Sequence, residues 1–83
     1  MGRNGQLIRQ WKILRNLLVR RYGATFVELA NEFGVSTRTI RRDLECLESA
    51  GFPFEDPALN GGRWRFPRDI VSRFLVHLRK NEE

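Results

Sequence analysis

The sequence predicts a mainly helical domain of three helices, a small β-hairpin and one further helix at the C-terminal end. Three observations predict it. Apolar residues recur at helical spacing in four separate stretches. Residues that start and stop helices lie between the first three stretches. A period-two alternation, Arg63-Trp64-Arg65-Phe66, follows the pair Gly61-Gly62. The length of 83 residues suits one small domain.

The first helix is expected from about Gln6 to Arg21. Leu7, Trp11, Leu14 and Leu18 form its apolar face, with Ile13 and Leu17 at the edge and Arg9, Lys12, Asn16 and Arg20 opposite. Gly23 suits the position just past a helix end. Thr25 with Glu28 three residues on reads as a capping box for a second, short helix. That helix carries Val27, Leu29, Ala30 and Phe33 on its apolar side and stops at Gly34. Ser36 is a strong N-cap for the third helix, whose buried stripe is Ile40, Leu44 and Leu47 and which ends at Gly51. Phe52 to Glu55 and Arg63 to Phe66 read as the two arms of the hairpin, with Trp64 and Phe66 on one face and Arg63 and Arg65 on the other. Pro67 opens the last helix, which runs to about Lys80 with Ile70, Val71, Phe74, Leu75 and Leu78 on its apolar side. Its apolar face is expected to fold back on the first helix, to pair with a second copy, or to link to another domain. Residues 1–66 thus form the domain and residues 67–83 a linker or dimerisation helix.

Composition narrows the function classes. No apolar run exceeds three residues, so no transmembrane helix is expected. The N-terminal residues lack the apolar core of a secretory signal. The lone Cys46 excludes an internal disulfide and a multi-cysteine zinc site, which makes a reducing cytoplasm the expected compartment. No nucleophile–base pair, metal cluster or phosphate loop is present, so neither an enzyme nor a cofactor is expected. His77 stands alone and reads as a surface or interface residue.

The net charge is +5, and 13 of the 15 basic residues are arginine. Residues 1–42 hold nine basic and two acidic side chains, and residues 43–56 hold five acidic and no basic ones. Arg63, Arg65 and Arg68 then restore positive charge. Arginine favours bidentate contacts to phosphate and guanine, and a nucleic-acid partner fits this distribution.

The order of elements describes a winged helix-turn-helix. Ala30 lets the second and third helices cross closely, and Gly34 makes the turn between them. With Ile40, Leu44 and Leu47 inward, Thr37, Arg38, Thr39, Arg41 and Arg42 occupy the outward side of the third helix's first two turns. The first carboxylate of that helix is Asp43, so its N-terminal dipole is left for an external anion. Asp43 itself reads as structural, bonding an arginine or holding the hairpin. Arg41 and Arg42 are also placed to pair with Glu45 along the same helix.

The stretch from Gly34 to Gly51, with its core Ser36-Thr-Arg-Thr-Ile-Arg-Arg-Asp-Leu44, resembles the helix-turn-helix of DeoR-type bacterial regulators. With Gly51-Phe-Pro-Phe-Glu55 and Gly61-Gly-Arg-Trp-Arg-Phe66 it resembles still more the N-terminal domain of WYL-domain transcription factors, over residues 7–66. The resemblance matches Ser36, Thr37, Arg38, Arg41 and Arg42 to recognition-helix positions and Gly61, Gly62 and Arg63 to the wing. It implies sequence-specific binding of double-stranded DNA by a homodimeric regulator whose effector ligand is sensed by a C-terminal WYL domain. No such domain follows Glu83, so a natural truncation or a fragment of a longer protein is expected, with the fragment favoured, and regulation by ligand is not carried over to this sequence.

The combined expectation places helix 36–50 in the major groove and the wing, residues 56–66, on the flanking backbone or minor groove. Arg38 with Arg41 or Arg42 reads bases. Thr25, Ser36 and Thr39 hold phosphates, Thr37 contacts phosphate or base, and Asn60 to Arg65 track the flank. Arg3 and Arg9 of the first helix add phosphate contacts. The competing class is a winged-helix module whose third helix meets an acidic protein. RNA is disfavoured because the narrow A-form major groove excludes a helix.

Overall fold

The computed structural model describes residues 2–73, with only the backbone described for residues 2–4. Three α-helices, α1 (Gly2–Val19), α2 (Phe26–Phe33) and α3 (Thr37–Ser49), are followed by one 3-10 turn over Pro57–Leu59. Residues 68–73 are helical, with the amide of Val71 donating to the Pro67 carbonyl at 3.1 Å. The remainder of the expected last helix, including Phe74, Leu75, His77 and Leu78, lies outside the described residues.

The helix-turn-helix forms from local signals. The Thr25 hydroxyl accepts from the Glu28 amide at 3.2 Å, and the Glu28 carboxylate accepts from the Thr25 amide at 2.9 Å. Both groups would otherwise be orphan donors at the start of α2. Gly34 ends α2 in the left-handed conformation (φ 65°), which a side chain would disfavour. Two residues on, Ser36 caps α3 through its hydroxyl, which accepts from the Thr39 amide at 3.1 Å. Leu29 and Ala30 of α2 pack on Ile40, Leu44 and Leu47 of α3, as their spacing predicts.

α1 departs from its predicted face. It starts at Gly2 rather than Gln6 and ends at Val19 rather than Arg21. Ile13, Leu14 and Leu17 are buried, whereas Leu7 and Trp11 are 55% and 62% exposed and Leu18 is only half-buried. Helical geometry gives the reason. At about 100° per residue, Gln10 falls between Ile13 and Leu14, and Arg9 borders Ile13. Both polar side chains continue the buried stripe because Asp43 of α3 awaits them. The Arg9 guanidinium donates to Asp43 from Nε at 2.5 Å and from Nη2 at 3.1 Å, and the Gln10 amide donates at 3.2 Å. Asp43 is 1% exposed, the one buried charged residue among those described. This fulfils the structural role expected of it.

The predicted hairpin is not a strand ladder, and no strand is found among the described residues. Its arms share one backbone hydrogen bond, from the Glu55 amide to the Arg65 carbonyl at 2.9 Å. The second arm instead forms an antiparallel bridge between Trp64 and Ala24, with hydrogen bonds of 2.8 and 3.0 Å. Pro53 lacks the amide proton a ladder needs, and Pro57 opens the 3-10 turn directly after the arm, which limits the pairing of the first arm. Aromatic contacts hold the arms instead. Phe54 stacks on Phe66 (centroids 4.7 Å) and meets Trp64 edge-on (5.3 Å), and Phe26 of α2 touches the same indole (5.9 Å). The period-two reading holds at the level of faces. Trp64 and Phe66 are buried, and Arg63 and Arg65 turn outward and are half-exposed. Gly23 makes the close approach possible, because a Cβ there would strike the Trp64 carbonyl and sit 2.7 Å from the Arg65 Cβ.

Candidate nucleic-acid interface

The start of α3 presents cations without local partners. Thr37, Arg38, Arg41 and Arg42 are exposed and Thr39 is half-exposed, while Ile40, Asp43, Leu44 and Leu47 face inward. The first turn of α3 holds no acidic residue. Among the described residues, no carboxylate forms an ion pair with Arg38, Arg41 or Arg42. The alternative pairing of Arg41 and Arg42 with Glu45 is therefore not the one adopted. Arg41 instead lies over the Phe26 ring, 5.3 Å from its centroid, which fixes it at the α2–α3 seam without neutralising it. Phe26, Thr37, Arg38, Arg41, Arg42 and Glu45 line one shallow depression.

The hydroxyls flanking this surface are engaged as acceptors. Thr25 and Ser36 each cap a helix, and the Ser36 and Thr39 hydroxyls lie 3.1 Å apart. The Thr25 hydroxyl spends only a lone pair on its cap and can still donate to a phosphate oxygen, whereas one of the Ser36 and Thr39 hydroxyls gives its proton to the other, which leaves one proton of that pair free to donate.

Arg9, Arg63 and Arg65, also expected at the interface, have other partners. Arg9 is held by Asp43, which raises its pKa above the ordinary value, chiefly through the side-chain hydrogen bond. Arg63 donates to Glu28 at 3.1 and 3.4 Å and to the Gly23 carbonyl at 3.3 Å. Arg65 Nε lies 2.5 Å from the Glu55 carboxylate in an ion pair that lacks hydrogen-bond alignment. Asn60 donates to the Glu55 carboxylate (3.3 Å) and to the Asp56 carbonyl (3.2 Å). The exposed tip of the wing is left to Gly61 and Gly62. The Arg3 side chain lies outside the described residues. Glu28 titrates below the usual carboxylate range, first because the Thr25 amide bonds it and then because Arg63 stands beside it.

A family model described as an HTH domain matches residues 9–56, more than half of the chain. The chain belongs to this helix-turn-helix domain family. The matched span runs from the middle of α1 through α3 to the first arm of the wing. In the HTH domain, α2 and α3 are the paired helices and Gly34 is the turn between them; such domains bind DNA. No curated protein and no solved structure matches the chain. No helix among the described residues of the HTH domain is long and apolar enough to cross a membrane, and no cluster of potential metal ligands occurs among them.

Two residues near the wing escaped the sequence reading. Arg20 and Arg21 line a second depression together with Arg63 and Arg65. The available signal was an adjacent arginine pair just before the turn glycine Gly23.

Proposed function

We propose that this HTH domain binds double-stranded DNA sequence-specifically within a transcriptional regulator, with α3 lying in the major groove. The observation that carries the reading is the set of three exposed guanidiniums on α3, none in an ion pair with a described carboxylate. Arg38, with Arg41 or Arg42, reads base edges, where arginine meets guanine O6 and N7 bidentately. Thr37, Ser36 and Thr39 and the free amides at the start of α3 hold phosphate, and Thr25 does the same at the start of α2. Gly61 and Gly62 bring the wing backbone close to the flanking strand. Asn60, Arg63 and Arg65 give the wing its shape, and Arg9 positions α3 through Asp43. The resemblance to WYL-domain and DeoR-type regulators supports a bacterial, homodimeric regulator. In that reading residues 67–83 join the domain to its dimer partner or to an effector-sensing domain.

Selection of binding sites from a random duplex pool tests the reading. The expected result is an enriched motif of two half-sites related by two-fold symmetry, with Arg38→Ala relaxing one position in each at a cost of about 1–3 kcal/mol. A pool that stays random, together with binding to an acidic protein, would transfer α3 to the protein-interaction class.

A further inference from the structure

The second depression lies between the α1–α2 turn and the wing. Its lining includes Arg20, Arg21, Arg63 and Arg65, with Tyr22 and Asn60, and no carboxylate. Three of the four guanidiniums have a carboxylate partner outside the lining: Glu32 for Arg20, Glu28 for Arg63 and Glu55 for Arg65. Arg21 has none among the described residues. It is exposed, and its guanidinium lies over the Tyr22 ring at 5.6 Å. The backbone adds a second, independent feature. The amides of Arg21 and Tyr22 donate to no backbone acceptor among the described residues, while the Gly23 amide closes the turn over residues 21–22. Consecutive unclaimed amides beside clustered guanidiniums make a concavity suited to a phosphate group.

A short stretch of chain joins the depression to the α3 surface. Ala24 is bridged to Trp64, Thr25 caps α2, and Phe26 lies under Arg41. Gly23 and Phe26 are three residue steps apart, a span of at most about 10 Å. A duplex strand carries a phosphate about every 3.4 Å along the axis. A strand leaving the groove occupied by α3 therefore reaches the depression within a few nucleotides.

We propose that this depression binds a backbone phosphate of the DNA strand just outside the bases that α3 faces, with Arg21 as its principal charge. The proposal rests on the reading of α3 as the DNA-binding helix. It gives the domain a contact flanking the recognised bases and a role for Arg20 and Arg21 that the helix-turn-helix geometry does not include.

The test compares two duplexes carrying the selected motif, one ending at the outermost base pair that α3 faces, so that it lacks the flanking phosphate, and one extended to about three turns. Arg21→Gln is the principal variant, because it removes no ion pair among the described residues and is expected to leave the melting temperature unchanged. On the long duplex it should weaken binding by about 3–10-fold and lower the slope of log affinity against log salt by about 1. On the short duplex it should change nothing. Unchanged binding to the long duplex, or an equal loss on both, overturns the proposal. Arg38→Gln separates this from failure of the α3 reading, since it should weaken binding to both duplexes. If only Arg38→Gln acts, α3 binds DNA and the depression does not. If only Arg21→Gln acts, the depression binds DNA and the α3 reading falls. Titration with inorganic pyrophosphate, followed by the amide signals of Arg21 and Tyr22, distinguishes a free anion as the source. Tight saturation by pyrophosphate with no Arg21→Gln effect on DNA assigns the depression to a soluble phosphate and overturns the DNA assignment.

Discussion

On α3, Arg38, Arg41 and Arg42 form no ion pair with a described carboxylate, whereas in the wing Arg63 closes on Glu28 and Arg65 on Glu55. The two regions use the same residue type for opposite ends. α3 is already fixed by its Ser36 cap, its apolar stripe and the buried Asp43, so its outward arginines are not needed to hold it. The wing has one hydrogen bond between its arms and depends on side chains for its shape. Its arginines tie it to the first turn of α2 and across to the opposite arm. Charge density alone therefore does not locate an interface; what matters is how much of the charge the fold has already consumed.

The largest effect should come from the wing's apolar anchor. Trp64 is buried, bridges to Ala24 and touches Phe26 and Phe54. Trp64→Ala should cost about 3–5 kcal/mol in urea unfolding. That is a large share of the stability of a domain this small, roughly 4–12 kcal/mol. A loss below 1 kcal/mol would mean that the wing contributes little to the fold.

Next is the contact that positions α3. Arg9→Ala leaves Asp43 buried with only Gln10 as a side-chain partner and should cost about 3 kcal/mol, the low end for breaking a buried pair because Arg9 remains partly exposed. The double variant Arg9→Met with Asp43→Leu should recover most of that loss. Failure to recover would show that the pair does more than satisfy a buried charge.

The wing's ion pairs should matter least. Arg63→Gln should cost under about 1 kcal/mol, because both partners are well exposed to solvent. Its pH behaviour has a defined sign. Glu28 has a lowered pKa in the folded state, so its contribution is present above the unfolded value and is lost as pH falls through the folded one. The window lies at and below about pH 4. Arg63→Gln should keep most of this acid dependence, because the leading cause is the Thr25 amide. Glu28→Gln should remove it, as read from melting temperature between neutral pH and pH 3.

What the sequence made legible was local. The Thr25–Glu28 capping box, the Gly34 turn, the Ser36 cap and the Ile40, Leu44, Leu47 stripe each span only a few residues, and each stands as read. The outward placement of Thr37, Arg38, Arg41 and Arg42 follows from that stripe. The α1 face was misread because its true stripe includes Arg9 and Gln10, whose burial makes sense only beside Asp43, more than thirty residues away. Distance in sequence also hid the partners of Arg63, since Glu28 belongs to a different helix. The hairpin read from Arg63 to Phe66 had the right inward and outward faces but the wrong bridge partner, because the alternation does not say that Ala24 will pair with Trp64.

Duplex binding is assigned above all to the unpaired guanidiniums of α3. The most direct measurement is the affinity for duplex DNA as a function of salt, for the unaltered domain and for the variant with Arg38→Gln and Arg42→Gln. The unaltered domain should lose affinity steeply as salt rises. The variant should bind the selected site about 100-fold or more weaker, with specific and random duplexes nearly equal. Unchanged affinity, or an equal proportional loss on specific and random duplexes, would contradict base recognition by α3.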